Sequence, residues 1–66
     1  MIKKYSLTIA GHATSITLEP EFWVEIQKIA VEKKMSVAAL IRDIDTNRGT
    51  YNLSSAIRVF VLRSIK

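Results

Sequence analysis

Apolar and polar side chains alternate in two short runs near the start of the chain. Over residues 3–9 the apolar side chains occupy every second position, and over 14–18 Ile16 and Leu18 alternate with hydroxyl-bearing residues. A period of two is that of a β-strand with one buried face. Gly11 interrupts the pattern between the runs. The alternation therefore predicts strands over about 3–9 and 14–18.

The alternation leaves open which strands pair. The two strands can form a hairpin within one chain. The second strand can instead pair with its copy in a symmetric dimer, while the first flanks it or stays mobile.

A third segment has helical periodicity and a clear start. Pro20 suits the first position of a helix, where its missing N–H has no partner anyway, and Glu19 and Glu21 complement the positive end of the helix dipole. Apolar residues then recur at spacings of three and four, with charged residues on the opposite face. The pattern predicts an amphipathic helix over about 20–34.

Two more helices are predicted downstream. Ser36 is a good N-cap for a helix over about 37–45. A polar stretch containing Gly49 then forms a loop. Asn52 or, as the alternative, Ser54 caps a third helix over about 53–65, whose apolar residues cover more than half of its circumference. A helix this apolar is expected at the centre of a core.

These patterns give a candidate core drawn from all the predicted elements. Its members are the apolar residues on the inward faces of the second strand and the three helices: Ile16, Leu18, Phe22, Trp23, Ile26, Ile29, Leu40, Ile41, Ile57, Phe60 and Val61. Phe22 and Trp23 could alternatively stack on single-stranded nucleic acid, but the apolar stripe continues at Ile26 and Ile29, which favours the core.

The length and composition indicate self-association. The chain has 66 residues, enough for one domain over 1–66, and a domain of this size buries only about 60% of the surface that its unfolded chain exposes. It contains no cysteine and a single histidine, so neither a disulfide nor a His/Cys metal site is expected to stabilise it. Because 48% of residues are hydrophobic, we expect a homodimer with a shared core.

Charge and motifs indicate which classes of partner and activity to expect. The formal net charge is +4, which favours anionic partners. We expect a cytoplasmic protein, because no signal peptide or membrane-spanning stretch is evident. An enzyme is not expected, since there is no nucleophile–base pair and Asp43 and Asp45 lie two apart on a helix, where side chains do not face each other. No cofactor or metal is implied.

The order of these elements resembles the ribbon-helix-helix superfamily of the Arc/MetJ type. The residues that carry the resemblance are Ala10-Gly11-His12, Thr14-Ser15-Ile16-Thr17-Leu18-Glu19-Pro20, Phe22-Trp23 and Asn52-Leu53-Ser54-Ser55-Ala56-Ile57-Arg58-Val59-Phe60, and they look like a small bacterial branch of it. The resemblance implies an α+β, mostly α, homodimer. It has an intermolecular antiparallel β-ribbon, an extra N-terminal strand and a third C-terminal helix.

The resemblance also implies which residues read DNA. Ser15 and Thr17 point outward together with Ala13, and these positions match those that superfamily repressors place in the major groove. Short hydroxyls hydrogen-bond either base type, which gives weak direct readout. Ala13 departs from the branch, which often has a basic residue there. That loss removes a donor that discriminates guanine by about 1–3 kcal/mol.

Phosphate contacts are expected at two further places. In the superfamily, the free N–H groups at the start of the second helix hold a DNA phosphate, and Ser36 and Val37 match that position. Lys3 and Lys4 resemble a basic arm, or are alternatively a frayed, solubilising terminus. His12 either donates to a phosphate or is a solvated turn residue. Arg42 and Arg48 either contact phosphates or pair with neighbouring aspartates.

Together these features predict a transcriptional repressor or autoregulator that binds double-stranded DNA as a homodimer. Tetramers formed from two dimers on adjacent half-sites are an open expectation. The alternative is a protein-interaction module, antitoxin-like or an adaptor, that uses the same scaffold to bind another protein. Few residues follow the third helix, which argues against a toxin-binding tail, whereas Ala13 argues against specific DNA binding.

Overall fold

The computed structural model describes residues 1–65 as two strands followed by three helices. The strands are β1 (Lys3–Ile9) and β2 (His12–Leu18), and the helices are α1 (Pro20–Glu32), α2 (Val37–Thr46) and α3 (Leu53–Ser64). The architecture is α+β and mostly helical, as the sequence predicts. This order is that of a ribbon-helix-helix fold with an added first strand and third helix.

The two strands form an antiparallel hairpin within the chain. Ile9 faces His12 across the end of the ladder, so Ala10 and Gly11 alone make the turn. Their φ angles are 52° and 79°, the left-handed values of a type I′ turn, whose twist suits a two-residue hairpin. The second strand therefore begins at His12 and not at 14. The two-residue turn was not predicted, because the usual sequence of such a turn has Asn or Asp before Gly, and this chain has Ala10 there.

The hairpin occupies one edge of β2. The ladder runs from Lys3 opposite Leu18 to Ile9 opposite His12 and uses the whole length of both strands. Of the two pairings that the sequence leaves open, the chain by itself forms the intramolecular one. A ribbon formed between the β2 strands of two chains, as the resemblance implies, would have to use the other edge of β2. That pairing stays an expectation.

Helix α1 begins where expected and ends two residues early. Pro20 lies in its first turn after Glu19, which is the N-cap residue. At the other end Lys34 has a φ of 57°, and its N–H donates to Val31 O while the N–H of Met35 donates to Ala30 O. This pair of bonds is a Schellman motif, which satisfies carbonyls that the helix end leaves free. The helix therefore stops at Glu32 and not at 34.

Side-chain caps fix the starts of the other two helices. Ser36 Oγ accepts a hydrogen bond from Ala39 N at 3.0 Å, and Asn52 Oδ1 accepts one from Ser55 N at 2.8 Å. Each bond satisfies a backbone donor of a first turn. Asn52, and not Ser54, is thus the cap of α3. The structure has these helices at Val37–Thr46 and Leu53–Ser64, so each predicted span (37–45 and 53–65) differs from the observed one by one residue at its C-terminal end.

The core lies between the inner face of the hairpin and the three helices. Its buried members are Ile16, Leu18, Ile26, Ile29, Ala30, Leu40, Ile41, Ile44, Ala56, Ile57 and Val61. Phe22, Trp23 and Phe60, also expected in the core, are partly buried and pack against it. These side chains pack together within one chain. Their participation in a core shared by two chains stays a proposal.

Several large apolar side chains remain on the surface. Val24 and Val31 lie on the outer side of α1, and Leu62 and Ile65 lie on and after α3, all of them exposed. Contacts within the chain therefore bury only part of the apolar surface of the third helix. Among the helices of residues 1–65, none combines the length and apolar character that a membrane span requires.

Candidate nucleic-acid interface

The hairpin has one face on the core and one face in solvent. On β2, Ile16 and Leu18 are buried, whereas the alternate positions are exposed. The same alternation holds on β1, where Tyr5, Leu7 and Ile9 are partly buried. Successive side chains of a strand point to opposite faces. The exposed side chains of both strands therefore share one outer surface.

The register defines this outer face. Lys4 lies opposite Thr17, Ser6 opposite Ser15, and Thr8 opposite Ala13. All six residues are exposed. We call the surface made by Lys4, Ser6, Thr8, Ala13, Ser15 and Thr17 the ribbon face. It carries four hydroxyl groups and one ammonium group on two adjacent strands, and a shallow depression runs along it.

The ribbon face unites the three residues predicted to contact bases with three that were not. Ala13, Ser15 and Thr17 lie together on it, as the alternation of β2 indicates. Ser6 and Thr8 were not among the predicted site residues, although their alternation with Tyr5, Leu7 and Ile9 is visible in the sequence. Their place beside Ser15 and Ala13 depends on the strand register. That register follows from the two-residue turn, which the sequence did not reveal.

Lys3 and Lys4 lie on opposite faces. They are the first two residues of β1, within the span of 3–9 predicted for the first strand. Lys4 belongs to the ribbon face, whereas Lys3 follows the alternation of Tyr5 and lies on the core side, at the exposed end of the strand. His12 likewise follows the alternation of Ile16, although it is exposed at the tip of the hairpin. The three predicted phosphate contacts on the hairpin thus do not form one cluster.

The start of α2 has the geometry of a capped helix terminus. The Ser36 side chain is engaged with Ala39 N, so its hydroxyl serves the helix, as its type predicts. Val37 is the first helical residue and is partly buried. Lys33 and Lys34 are exposed just before the cap, and they were not among the predicted phosphate contacts. They add positive charge near a helix end that already favours anions.

Two arginines are engaged in ion pairs. Arg48 Nε lies 2.7 Å from Asp45 Oδ1, and its Nη1 donates to Tyr51 O at 2.7 Å. Of the two roles open to Arg48, the structure shows the pairing. Arg58 Nε donates to Glu19 Oε1 at 2.8 Å, which joins α3 to the residue between β2 and α1. Both guanidinium groups are therefore oriented by carboxylates of the same chain.

The Glu19–Arg58 pair connects the base of the hairpin to the third helix. Both side chains are about one-third exposed, at 33% and 29%. The hydrogen bond from Arg58 is the main cause that lowers the pKa of Glu19 below its ordinary value of 4.5, helped by a backbone hydrogen bond. Glu19 is therefore ionised at neutral pH and holds Arg58 in place. The sequence interpretation missed this pair, because its partners lie far apart along the chain.

Within residues 1–65, the His, Asp and Glu side chains form no group of three or more suited to a metal ion. The outer surface of the hairpin is instead rich in hydroxyl groups beside a single cation. Such a surface can donate and accept hydrogen bonds with a polar, anionic partner.

Comparison with known proteins identifies the family of the chain. Its family model, described as a ribbon-helix-helix domain, matches residues 2–65. Neither curated proteins nor solved structures gave a significant match. The family match covers both strands and all three helices, including the whole ribbon face. The chain therefore belongs to the ribbon-helix-helix domain family.

Proposed function

We propose that this protein is a DNA-binding transcription regulator, a repressor or autoregulator, that acts as a homodimer in the bacterial cytoplasm. Ribbon-helix-helix domains generally bind DNA, in regulators or in antitoxins. The observation that carries the proposal is the ribbon face: a two-stranded antiparallel ribbon with exposed hydroxyls and a lysine on its outer surface. The role is regulatory and not catalytic.

The ribbon face suits the major groove of B-DNA. The groove is about 12 Å wide and admits a two-stranded β-ribbon. Ser15 and Thr17 would contact base edges there, because a hydroxyl both donates and accepts, and Ala13 would contact a thymine methyl. Each of these contacts discriminates weakly between bases. A reader of this kind gains specificity from repeated half-sites more than from one site.

Phosphate contacts would position the ribbon. The backbone N–H groups of Ser36 and Val37 would hold a flanking phosphate, because free amides and the helix dipole both favour an anion. Lys3 and His12, at opposite ends of the hairpin, would add contacts to the sugar-phosphate backbone. Contacts of this kind fix the register on DNA but carry no sequence information.

The small size of the chain supports a homodimer. Its accessible surface is 4570 Å², roughly two fifths of the ~10,900 Å² expected for an unfolded chain of this mass. Exposed Val24, Val31 and Leu62 add apolar surface that a second copy would cover. Two dimers on adjacent half-sites would form a tetramer on DNA. Sedimentation or light scattering at micromolar concentration tests the dimer, and a stable monomer would contradict it.

Binding to random duplex DNA as a function of salt tests the function. We expect a Kd in the non-specific range of ~10⁻⁴–10⁻⁶ M or tighter, weakening steeply as salt rises. The Ser15→Ala/Thr17→Ala double variant should bind more weakly. A matched control, Thr46→Ala/Ser64→Ala, removes two hydroxyls from α2 and α3 and should bind like the wild type.

The outcome of that titration separates the proposal from its rival. The proposal is supported if Ser15→Ala/Thr17→Ala binds duplex DNA more weakly than the wild type while the control Thr46→Ala/Ser64→Ala does not. Undetectable binding of the wild type, even at low salt, would mean that the ribbon serves only the structure of the domain and does not bind DNA. The protein would then be a protein-interaction module of the antitoxin-like or adaptor kind.

A further inference from the structure

The free edge of β2 is the place where a second chain can join the sheet. Among residues 1–65 the sheet consists of β1 and β2 alone, so one edge of β2 bonds to β1 and the other pairs with no strand. Such an edge presents N–H and C=O groups that a further strand can bond. The intermolecular ribbon expected of the fold would use this edge, with the β2 of a second copy. The two copies would then form one sheet with the β2 strands at its centre and a β1 strand on each side.

Packing within the chain keeps β1 beside β2 in such a sheet. Tyr5, Leu7 and Ile9 pack against the core. The ring of Tyr5 also stacks on that of Trp23, with centroids 4.2 Å apart. Side chains on a strand whose inner face is packed are more precisely placed than those on a free arm. The outer side chains of β1 therefore keep fixed positions next to those of β2.

The four-stranded sheet would be slightly wider than the major groove. Neighbouring strands lie about 4.8 Å apart, so the central β2 pair would span about 5 Å and the two β1 strands would lie about 14 Å apart. The major groove of B-DNA is about 12 Å wide. With the central pair over the base edges, each β1 would lie at a wall of the groove, where the phosphates are.

The outer side chains of β1 suit such a wall. Lys4, Ser6 and Thr8 are exposed on the ribbon face. Ammonium groups and hydroxyls both donate hydrogen bonds to phosphate oxygens in protein–DNA complexes. The strand contains two lysines and no acidic residue, so it carries no charge that would repel a phosphate.

We infer that β1 is a phosphate-contacting strand: Lys4, Ser6 and Thr8 contact the backbone along a wall of the major groove, while the β2 strands of two copies face the bases. The inference rests on the proposed function and specifies how the domain is held on DNA. A dimer has two such strands and would contact both walls. Because phosphate contacts carry no sequence information, the choice of bases is left to β2.

The salt dependence of binding to random duplex DNA tests the charged contact. Lys4→Gln removes two phosphate contacts from a dimer and should reduce the log–log slope by about 1.8. The affinity advantage of the wild type should then shrink roughly tenfold between about 50 and 200 mM salt. Lys28→Gln is the matched control, because Lys28 lies on α1 beside Glu25 and carries the same charge. It should change the slope far less.

The hydroxyls of β1 allow a separate test. Ser6→Ala/Thr8→Ala should weaken binding to all sequences alike and leave the salt slope unchanged, because the lost groups are neutral. In selection from a randomised duplex pool, this variant and Lys4→Gln should recover the same sites as the wild type, whereas Ser15→Ala/Thr17→Ala should alter the base preference. Circular dichroism and a thermal melt establish that each variant is folded.

Two results would overturn the inference while leaving the function intact. One is wild-type affinity and salt slope in both β1 variants, which would show that β1 does not contact DNA. The other is a changed base preference in either of them, which would place β1 over the bases and not at the groove wall. Absence of duplex binding by the folded wild type would overturn the proposed function itself.

Discussion

The phenol ring of Tyr5 on β1 lies flat against the indole of Trp23 on α1. The ring centroids are 4.2 Å apart and the planes are inclined by 8°. Both side chains are partly buried at the edge of the core. The stack joins the hairpin to the first helix, so the aromatic ring of Trp23 serves the fold within the chain. It also places the strand that carries Lys4 and Ser6.

Loss of this stack should destabilise the fold. Tyr5→Ala removes a partly buried ring and the stacking contact, and we expect a loss of about 2–4 kcal/mol in the free energy of unfolding. Tyr5→Phe keeps the ring and should lose less than about 1 kcal/mol. Urea unfolding followed by fluorescence of Trp23, the single tryptophan of the chain, measures both. Equal stability of the two variants would show that the stack contributes little.

The hairpin turn makes a second prediction. Gly11 has a φ of 79°, and a Cβ added there would meet no atom within 4 Å, so the cost of Gly11→Ala is one of backbone conformation alone. We expect a loss of about 1–2 kcal/mol. Ala10, with a φ of 52°, is strained for the same reason, and Ala10→Asn should stabilise the protein by about 0.5–1 kcal/mol. Thermal unfolding that moved both variants in the same direction would contradict this turn.

The Glu19–Arg58 pair predicts a dependence of stability on pH. The pKa of Glu19 is lowered in the folded state, so the unfolded chain takes up a proton at a higher pH than the folded one. The pair therefore stabilises the fold above the ordinary pKa of about 4.5, and this contribution is lost as pH falls through the lower, folded-state pKa. Because both side chains are partly exposed, added salt should weaken the effect.

Substitution of Glu19 isolates this contribution. Glu19→Gln should melt at a lower temperature than the wild type at pH 7 and approach it at pH 3. Glu21→Gln is the matched control, since it removes a carboxylate from the same helix end without touching the ion pair. If the two variants had the same melting profile against pH, the helix dipole and not Arg58 would account for the lowered pKa.

The amide of Val37 can be removed without breaking α2. Val37 is the first helical residue, where proline is well tolerated, and Ser36 before it has the extended backbone (φ −73°, ψ 156°) that a following proline requires. Val37→Pro should weaken duplex binding and reduce the salt slope by about one phosphate contact. Val37→Ala loses the side chain but keeps the N–H. Similar binding by these two variants would show that this amide holds no phosphate.

A cation added at position 13 should strengthen binding. Ala13 is exposed on the ribbon face, opposite Thr8. Ala13→Lys should increase duplex affinity and steepen the salt dependence by about 0.9 in the log–log slope. Thr46→Lys adds the same charge on α2 and should have a smaller effect. An equal gain from both variants would indicate attraction by net charge alone.

Local patterns predicted most of the fold. The period-two alternation of Tyr5, Leu7 and Ile9 marked β1, and the spacing of Ile26 and Ile29 marked α1, because each element must bury one face. Short-range capping was also predictable, since Ser36 bonds to a backbone group three residues away. The end of α1 was harder to predict. Lys34 adopts a left-handed conformation there, which glycine or asparagine usually signals.

Contacts between distant parts of the chain were beyond local patterns. The alternation fixed which residues of β1 share a face, but not that the face continues onto Ser15 and Thr17. Arg58 and Glu19 meet only because α3 returns to the base of the hairpin. The separation of Lys3 and Lys4 onto opposite faces, in contrast, already follows from the predicted strand over 3–9, because adjacent residues of a strand point to opposite faces.

The central claim is that the ribbon face binds duplex DNA, and an NMR titration tests it most directly. A ¹⁵N-labelled protein would be titrated at low salt with a short duplex, and amide shifts would be followed residue by residue. We expect the largest changes at Ser6, Thr8, Ser15 and Thr17 and at the start of α2, with Val24 and Val31 on α1 unchanged. Changes confined to the exposed side of α1 or α3, or none at all, would contradict the account.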